Sequence, residues 1–193
     1  MSPGATSLAR IAALLGVAEG ALRRRWLLAR HPALQLGPGC RLEPGILWRL
    51  APGAEVRVGA GCHLRRGVEL KVDGGARLCL GARVHLGPWS TLSTLGDLEV
   101  GDDCLIAEGV SIRDHDHAIT RWDLPYATQG HAVAPVRLGS NVWLGAHVTV
   151  VKGVTLGAGC VAAAGAVVTR SFPPGSLVAG VPARLLRTLP AGG

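Results

Sequence analysis

Aromatic side chains are scarce. Of 193 residues only 4% are aromatic, with one Phe, one Tyr and five Trp, and there is a single Met. A core short of aromatics has to be built from Val, Leu, Ala and Cys, which excludes a large aromatic-lined cofactor pocket. Acidic residues are also few, 13 Asp and Glu against 20 Lys and Arg, and none follows Asp123. Beyond that point the only charged side chains are Arg137, Lys152, Arg170, Arg184 and Arg187. An all-positive C-terminal third suits a polyanionic ligand or a membrane surface. Its basic residues neither cluster nor alternate with aromatics, so no nucleic-acid partner is expected.

Paired cysteines are missing. Cys40, Cys62, Cys79, Cys104 and Cys160 show no C-x-x-C spacing and read as small core residues in a reducing compartment, with no metal site expected. A convincing signal peptide is missing as well, because the apolar run 11–18 is short and lies between Arg10 and Glu19. The charge-free stretch 153–169 is broken by glycines at a six-residue rhythm, which argues against a membrane span. The expectation is a cytoplasmic chain. What is abundant is glycine, 28 residues alongside 12 prolines, and that disfavours a helical bundle.

The glycines belong to a repeat. Leu138, Leu144, Val150, Leu156, Ala162 and Val168 stand six apart, and four residues after the first five come Val142, Val148, Val154, Cys160 and Ala166. Earlier stretches keep the same count: Leu36 and Leu42; Val58, Leu64 and Leu70; Leu80, Leu86 and Leu92; Val100, Ile106 and Ile112. Cys40, Cys62, Cys104 and Cys160 all fall on the small second position. Period six fits neither a helix nor a strand pair, but it fits a chain that lays down a short strand, turns a corner and repeats, three strands to a coil. At eighteen residues per turn the repeats make roughly six coils. The count slips between Leu42 and Val58, Leu70 and Leu80, and Leu92 and Val100, which predicts small bulges or loops. Between Ile112 and Leu138 it stops altogether, which predicts an extruded loop over 113–135, and long loops on rigid scaffolds tend to be functional.

Residues 1–35 precede the repeats. Leu8, Ile11, Leu15, Ala18, Leu22, Trp26 and Ala29 follow helical spacing, with a basic run Arg23-Arg24-Arg25. This reads as an amphipathic helix capping the open end of the solenoid, the alternative being a peripheral membrane contact. Residues 171–193 form a Pro- and Gly-rich tail in which a short basic helix is expected through Arg187.

The hexads over 36–170, the stretch Asn141-Val142-Trp143-Leu144-Gly145-Ala146 and the ending Val178-Ala179-Gly180-Val181-Pro182-Ala183 resemble the hexapeptide-repeat acyltransferases, in particular the maltose/galactoside and polysaccharide O-acetyltransferase branch. The resemblance implies an all-β solenoid, a left-handed parallel β-helix. It also implies a homotrimer that binds acetyl-coenzyme A between neighbouring prisms.

An alcohol attacking a thioester must lose its proton, and a histidine titrating near neutrality is suited to take it. The sequence supplies Asp114-His115-Asp116-His117 where the hexads stop. His117 stands five residues after Ile112, the spacing at which the resembling family places its catalytic histidine. Asp114 and Asp116 are both candidates for orienting it, and His115 for a supporting or substrate contact. Read alone, the cluster could equally be a solvated loop or part of a metal site. His131, at the far end of the loop, is expected to be exposed. The resemblance further implies cofactor contacts at Trp143, Gly145, Ala146, Ala164, Thr169, Arg170 and Arg187. Relatives acting on small sugars carry an Asn-x-Asn pair where this chain has Gly87-Pro88-Trp89-Ser90-Thr91, so the acceptor candidates are Trp89 and, in the loop, Trp122 and Tyr126, with Asp123 beside them.

The reading that follows is acetyl transfer from acetyl-coenzyme A to a carbohydrate hydroxyl, on a surface polysaccharide, a glycolipid or a small sugar. An amino-sugar N-acyltransferase is the near alternative. A zinc-dependent carbonic anhydrase on the same β-helix needs three converging histidines, whose usual spacing is absent here, and a silent scaffold is the remaining alternative.

Overall fold

A computed structural model of the chain describes residues 24–190. Three parallel sheets form the faces of a triangular prism. Face A stacks Leu34–Leu36, Glu55–Val58, Arg77–Leu80, Asp97–Val100, Val136–Leu138 and Thr155–Leu156. Face B stacks Arg41–Leu42, His63–Leu64, His85–Leu86, Leu105–Ile106, Trp143–Leu144 and Val161–Ala162. Face C stacks Leu47–Leu50, Glu69–Val72, Thr91–Thr94, Ser111–Arg113, Thr149–Val150 and Val167–Val168. The chain visits A, B and C in turn, about six times.

The hexad positions become columns of the core. Leu64, Leu86, Ile106, Leu144 and Ala162 align inside face B, and Leu70, Leu92, Ile112, Val150 and Val168 inside face C, all fully buried. The cysteines of the second position turn the A–B corner. Cys40, Cys62, Cys104 and Cys160 each donate Sγ–H to a carbonyl of the next coil, at 3.1 Å in every case. Glycine is required at the same corner. A Cβ on Gly139 would lie 2.5 Å from the backbone nitrogen of Ala158 in the coil above.

Three sequence expectations change. The slips in the early hexads are not bulges. The strands of faces C and A run on, so that Val72, Ala76 and Leu78 join the core across a tight turn at Gly74-Gly75. The tail is not a helix. Ser176–Gly180 pairs antiparallel with Ala183–Thr188, because the last strand of face B would otherwise leave its edge unpaired and Val181-Pro182 reverses the chain onto it. At the other end residues 24–30 are helical, as expected, but the buried contact is Leu27, 2% exposed, while Trp26 points to solvent with Arg30 over its ring. Arg24 ties this helix to the first coil through the carbonyls of Leu36 and Gly37. The remainder of the N-terminal stripe, Leu8 to Leu22, lies outside the described residues, and no helix among those described is long and apolar enough to cross a membrane.

Candidate active site

Faces C and A meet at the corner where Arg113 leaves the prism, and Asp114 roots the excursion. Its carboxylate is fully buried and accepts four hydrogen bonds. They come from Thr94 Oγ1 at 2.6 Å, the N–H groups of Leu95 at 2.9 Å and Gly96 at 2.8 Å, and His115 Nδ1 at 2.9 Å. Burial is the largest influence and pushes the carboxyl up, but the hydrogen bonds from Thr94, Leu95, His115 and Gly96 outweigh it and hold Asp114 below the ordinary Asp value. An ionised carboxylate only accepts, so His115 donates from Nδ1 to Asp114. The Asp114 carbonyl also accepts from Ala134 N–H at 2.9 Å, which closes the base of the excursion.

The excursion is a hairpin. His115–His117 pairs antiparallel with His131–Val133, so His115 and His117 project to one side and Asp116 to the other. His117 is exposed and lies across from His131, with ring centroids 4.8 Å apart; His115 and His131 are edge-on at 5.8 Å. Asp116 receives Lys152 Nζ at 2.7 Å, which clamps the hairpin to the following coil. Beyond the strands the loop is knitted by one side chain: Gln129 accepts from Thr120 and Arg121 and donates to the carbonyls of Arg121 and Leu124.

Of the four residues in the Asp-His-Asp-His cluster, Asp114 hydrogen-bonds His115 and Asp116 binds Lys152, so neither carboxylate is bonded to His117. His131 is exposed, as expected, but it stacks on His117, a partnership that only the hairpin register creates. The sequence alone does not mark Thr94 and Gly96 as site residues. Their one signal was the short interval between Leu92 and Val100, and Gly96 leaves room for Asp114 and Val133, whose atoms a Cβ would meet at 3.3 and 2.9 Å. Trp122, 88% exposed, and Tyr126, on a single turn at Tyr126–Thr128, stand on the outside of the loop.

The remaining candidates lie on other parts of the prism. Trp89 occupies the B–C corner, roughly 16 Å along its strand from Thr94 at 3.3 Å per residue. Its ring covers Gly67, and a cleft of about 640 Å³ opens between it and Leu47. Ala146 and Ala164 share that corner two and three coils higher, and Gly145 packs on the backbone of Ala164. Trp143 is half exposed on face B between Leu105 and Val161. Thr169 and Arg170 are exposed at the C–A corner of the last coil, and Arg187 lies opposite Leu177 on the added strand. Among the described residues no three His, Cys, Asp or Glu side chains converge as a metal site.

Comparison with known proteins gives, among others, four matches. Residues 135–170 match the family described as the hexapeptide repeat of succinyl-transferase. The chain is 38% identical over 102 residues to a probable acetyltransferase of Mycobacterium tuberculosis, covering 53% of this chain and 34% of that protein. It is 37% identical over 90 residues to the galactoside O-acetyltransferase of Escherichia coli, covering 47% and 43%. The matched segments thus span less than half of either relative's length. Among solved structures, a hexapeptide-repeat acetyltransferase of Vibrio cholerae complexed with acetyl-coenzyme A superposes with a TM-score of 0.58 at 24% identity, covering 99% of this chain and 92% of that one.

Proposed function

We propose that this chain, a hexapeptide-repeat protein of the acetyltransferase family, moves an acetyl group from acetyl-coenzyme A to a carbohydrate hydroxyl. The observation that carries the reading is the hairpin at the C–A corner: a buried, ionised carboxylate fixes one imidazole, and a second imidazole stands exposed beside it. His117 is the general base. It is exposed, its ring nitrogens are not hydrogen-bonded by the described chain, and its spacing from Ile112 matches the family's catalytic position. As the acceptor oxygen attacks the thioester carbonyl, His117 takes the hydroxyl proton; as the tetrahedral intermediate collapses, the C–S bond breaks and the proton passes to the leaving thiolate. The Asp114–His115 pair holds the strand that presents His117.

The residues present suit the donor. Arg137 is neutralised by Asp97 and Glu99 and Lys152 by Asp116, whereas Arg170 and Arg187 have no carboxylate partner among the described residues and are free for phosphates. Ala146 and Ala164 leave backbone groups accessible at the B–C corner. Because Ala146 and Ala164 sit on one corner while Thr169, Arg170 and the histidines sit on another, a single prism does not close the site. That supports a homotrimer with the coenzyme between subunits.

A second reading makes His115 the base, and the bond from Asp114 favours it. Single-turnover acetylation separates the two. His117→Ala is expected to slow transfer by about 10²–10⁴-fold with acetyl-coenzyme A affinity by calorimetry unchanged, and His115→Ala by less. The reverse order would make His115 the base. Near-wild-type rates in both variants would remove the hairpin from the chemistry, and zinc binding without coenzyme binding would end the transferase reading.

A further inference from the structure

The three faces carry different surfaces. On the middle coils of face A the outward charges are spent on each other: Arg77 and Arg137 both bind Asp97 and Glu99. Face B presents Leu105, Trp143, Val161 and Leu177 in register. Face C presents two outward columns. One begins with Leu47 and Glu69 and then places the hydroxyls of Thr91, Ser111 and Thr149 side by side. The other runs Arg49, Lys71, Ser93, Arg113, each opposite the next in the strand register. With strands about 4.8 Å apart, that column is roughly 14 Å long.

Its charge is not neutralised from within. Arg49 holds Glu69, but Lys71 and Arg113 have no carboxylate partner among the described residues, and Arg113 reaches only Ser111 Oγ, at 2.8 Å. At its lower end the column opens into a cleft of about 410 Å³ bounded by Arg30, His31, Trp48 and Lys71, with Asp73 the one acid on its rim. At its upper end Arg113 is followed directly by Asp114 and His115. A basic row therefore leads into the hairpin, and Trp89 stands exposed at the B–C edge of the same face, in a cleft with Leu47, Glu69 and Thr91.

We infer that face C, from the second coil to the hairpin, is the track for an acidic glycan, whose carboxylates or phosphates lie on Lys71 and Arg113 and whose hydroxyls meet Thr91 and Ser111. The inference rests on the transferase reading, which it deepens by making the acceptor an extended anionic carbohydrate. Charge complementarity selects an anionic ligand, and Trp89, which lines one cleft with Leu47, Glu69 and Thr91, offers a ring face beside the hydroxyls on which a sugar can lie. The coenzyme phosphates are assigned elsewhere, to the last coil and tail.

The test is calorimetry of the full-length protein with hexagalacturonate and with neutral maltohexaose. Wild type is expected to bind hexagalacturonate more tightly than maltohexaose, and the preference to shrink as salt is raised. Lys71→Gln/Arg113→Gln is expected to lose at least tenfold in hexagalacturonate affinity, while Arg41→Gln/Arg57→Gln, the same charge change on faces B and A, stays within twofold. Equal losses in both double variants would reduce the effect to net charge and overturn the track, as would no binding at all. A tenfold loss of acetyl-coenzyme A affinity in the face C variant would give the column to the coenzyme. Binding to phosphatidylglycerol vesicles in place of hexagalacturonate would give it to a membrane. Because no turnover is needed, a failure here leaves the His117 result to stand or fall separately.

Discussion

Asp114 sits without exposure at the base of a surface hairpin, and its hydrogen bonds reverse the effect of burial. Since its folded pKa lies below the ordinary value, its contribution to stability is complete above about pH 4 and is lost as pH falls through the folded value. Asp114→Asn presents an amide N–H to donors that needed an acceptor, at a cost of about 1–3 kcal/mol. The variant is expected to lose the steepest part of the acid limb when melting temperature is followed from pH 7 down to pH 2.5. Trp89 is the opposite case, a large side chain 67% exposed at φ +60°, where the coils on either side place Gly67 and Gly109. An L-residue there costs about 1–2 kcal/mol, and glycine's greater unfolded-state freedom returns part of that. Trp89→Gly is therefore expected to gain about 0.5–1 kcal/mol in urea unfolding. If Trp89 also contacts the acceptor, KM for acceptor rises while kcat holds.

A coil is stable because each corner accepts one kind of side chain. At the A–B corner the next coil's backbone occupies the space of a Cβ, so Gly139→Ala is expected to cost about 1–3 kcal/mol in chemical denaturation. The cysteine beside that glycine supplies a short donor instead of a bulky branch. Burial pushes the Cys62 thiol up to about 11, and Cys104 is raised for the same reason. With Cys160 also buried, a thiol reagent at pH 8 is expected to modify no more than Cys40 and Cys79 in the native protein and all five cysteines after denaturation. Four or more native modifications would mean that the corners open. The hairpin obeys a different logic, being held at its base by Asp114 and Lys152 and at its tip by Gln129.

For the whole molecule, the division of labour among faces sets what each can meet: the middle coils of face A are closed on themselves by ion pairs, face B offers apolar area, and face C offers charge and hydroxyls. Dilution monitored by sedimentation is expected to show a trimer that persists at high salt, since its contacts would be apolar rather than ionic. A monomer at micromolar concentration would leave the residues proposed for the coenzyme on separate corners of one prism, without a way to meet.

The period of six by itself determined the solenoid, the number of coils and the inward residues of the hexads, because every coil repeats the same local choice between a strand residue and a corner residue, but not the core residues such as Val72, Ala76 and Leu78 where the strands run on. It also determined where the chain departs, since a missing hexad is as visible as a present one. Three things it did not determine: that Asp114 bonds His115 rather than His117, that His131 returns to His117, and that the tail is a strand. Each depends on which segment lies alongside which. Thr94 and Gly96 reach Asp114 from the C–A corner of the preceding coil, His131 reaches His117 from the far strand of the hairpin, and the tail closes an edge left unpaired by the last strand of face B. Local sequence encodes the hexad because its partners are its own repeats; the site is made of contacts between segments that share no repeat, and only the tertiary structure brings those together.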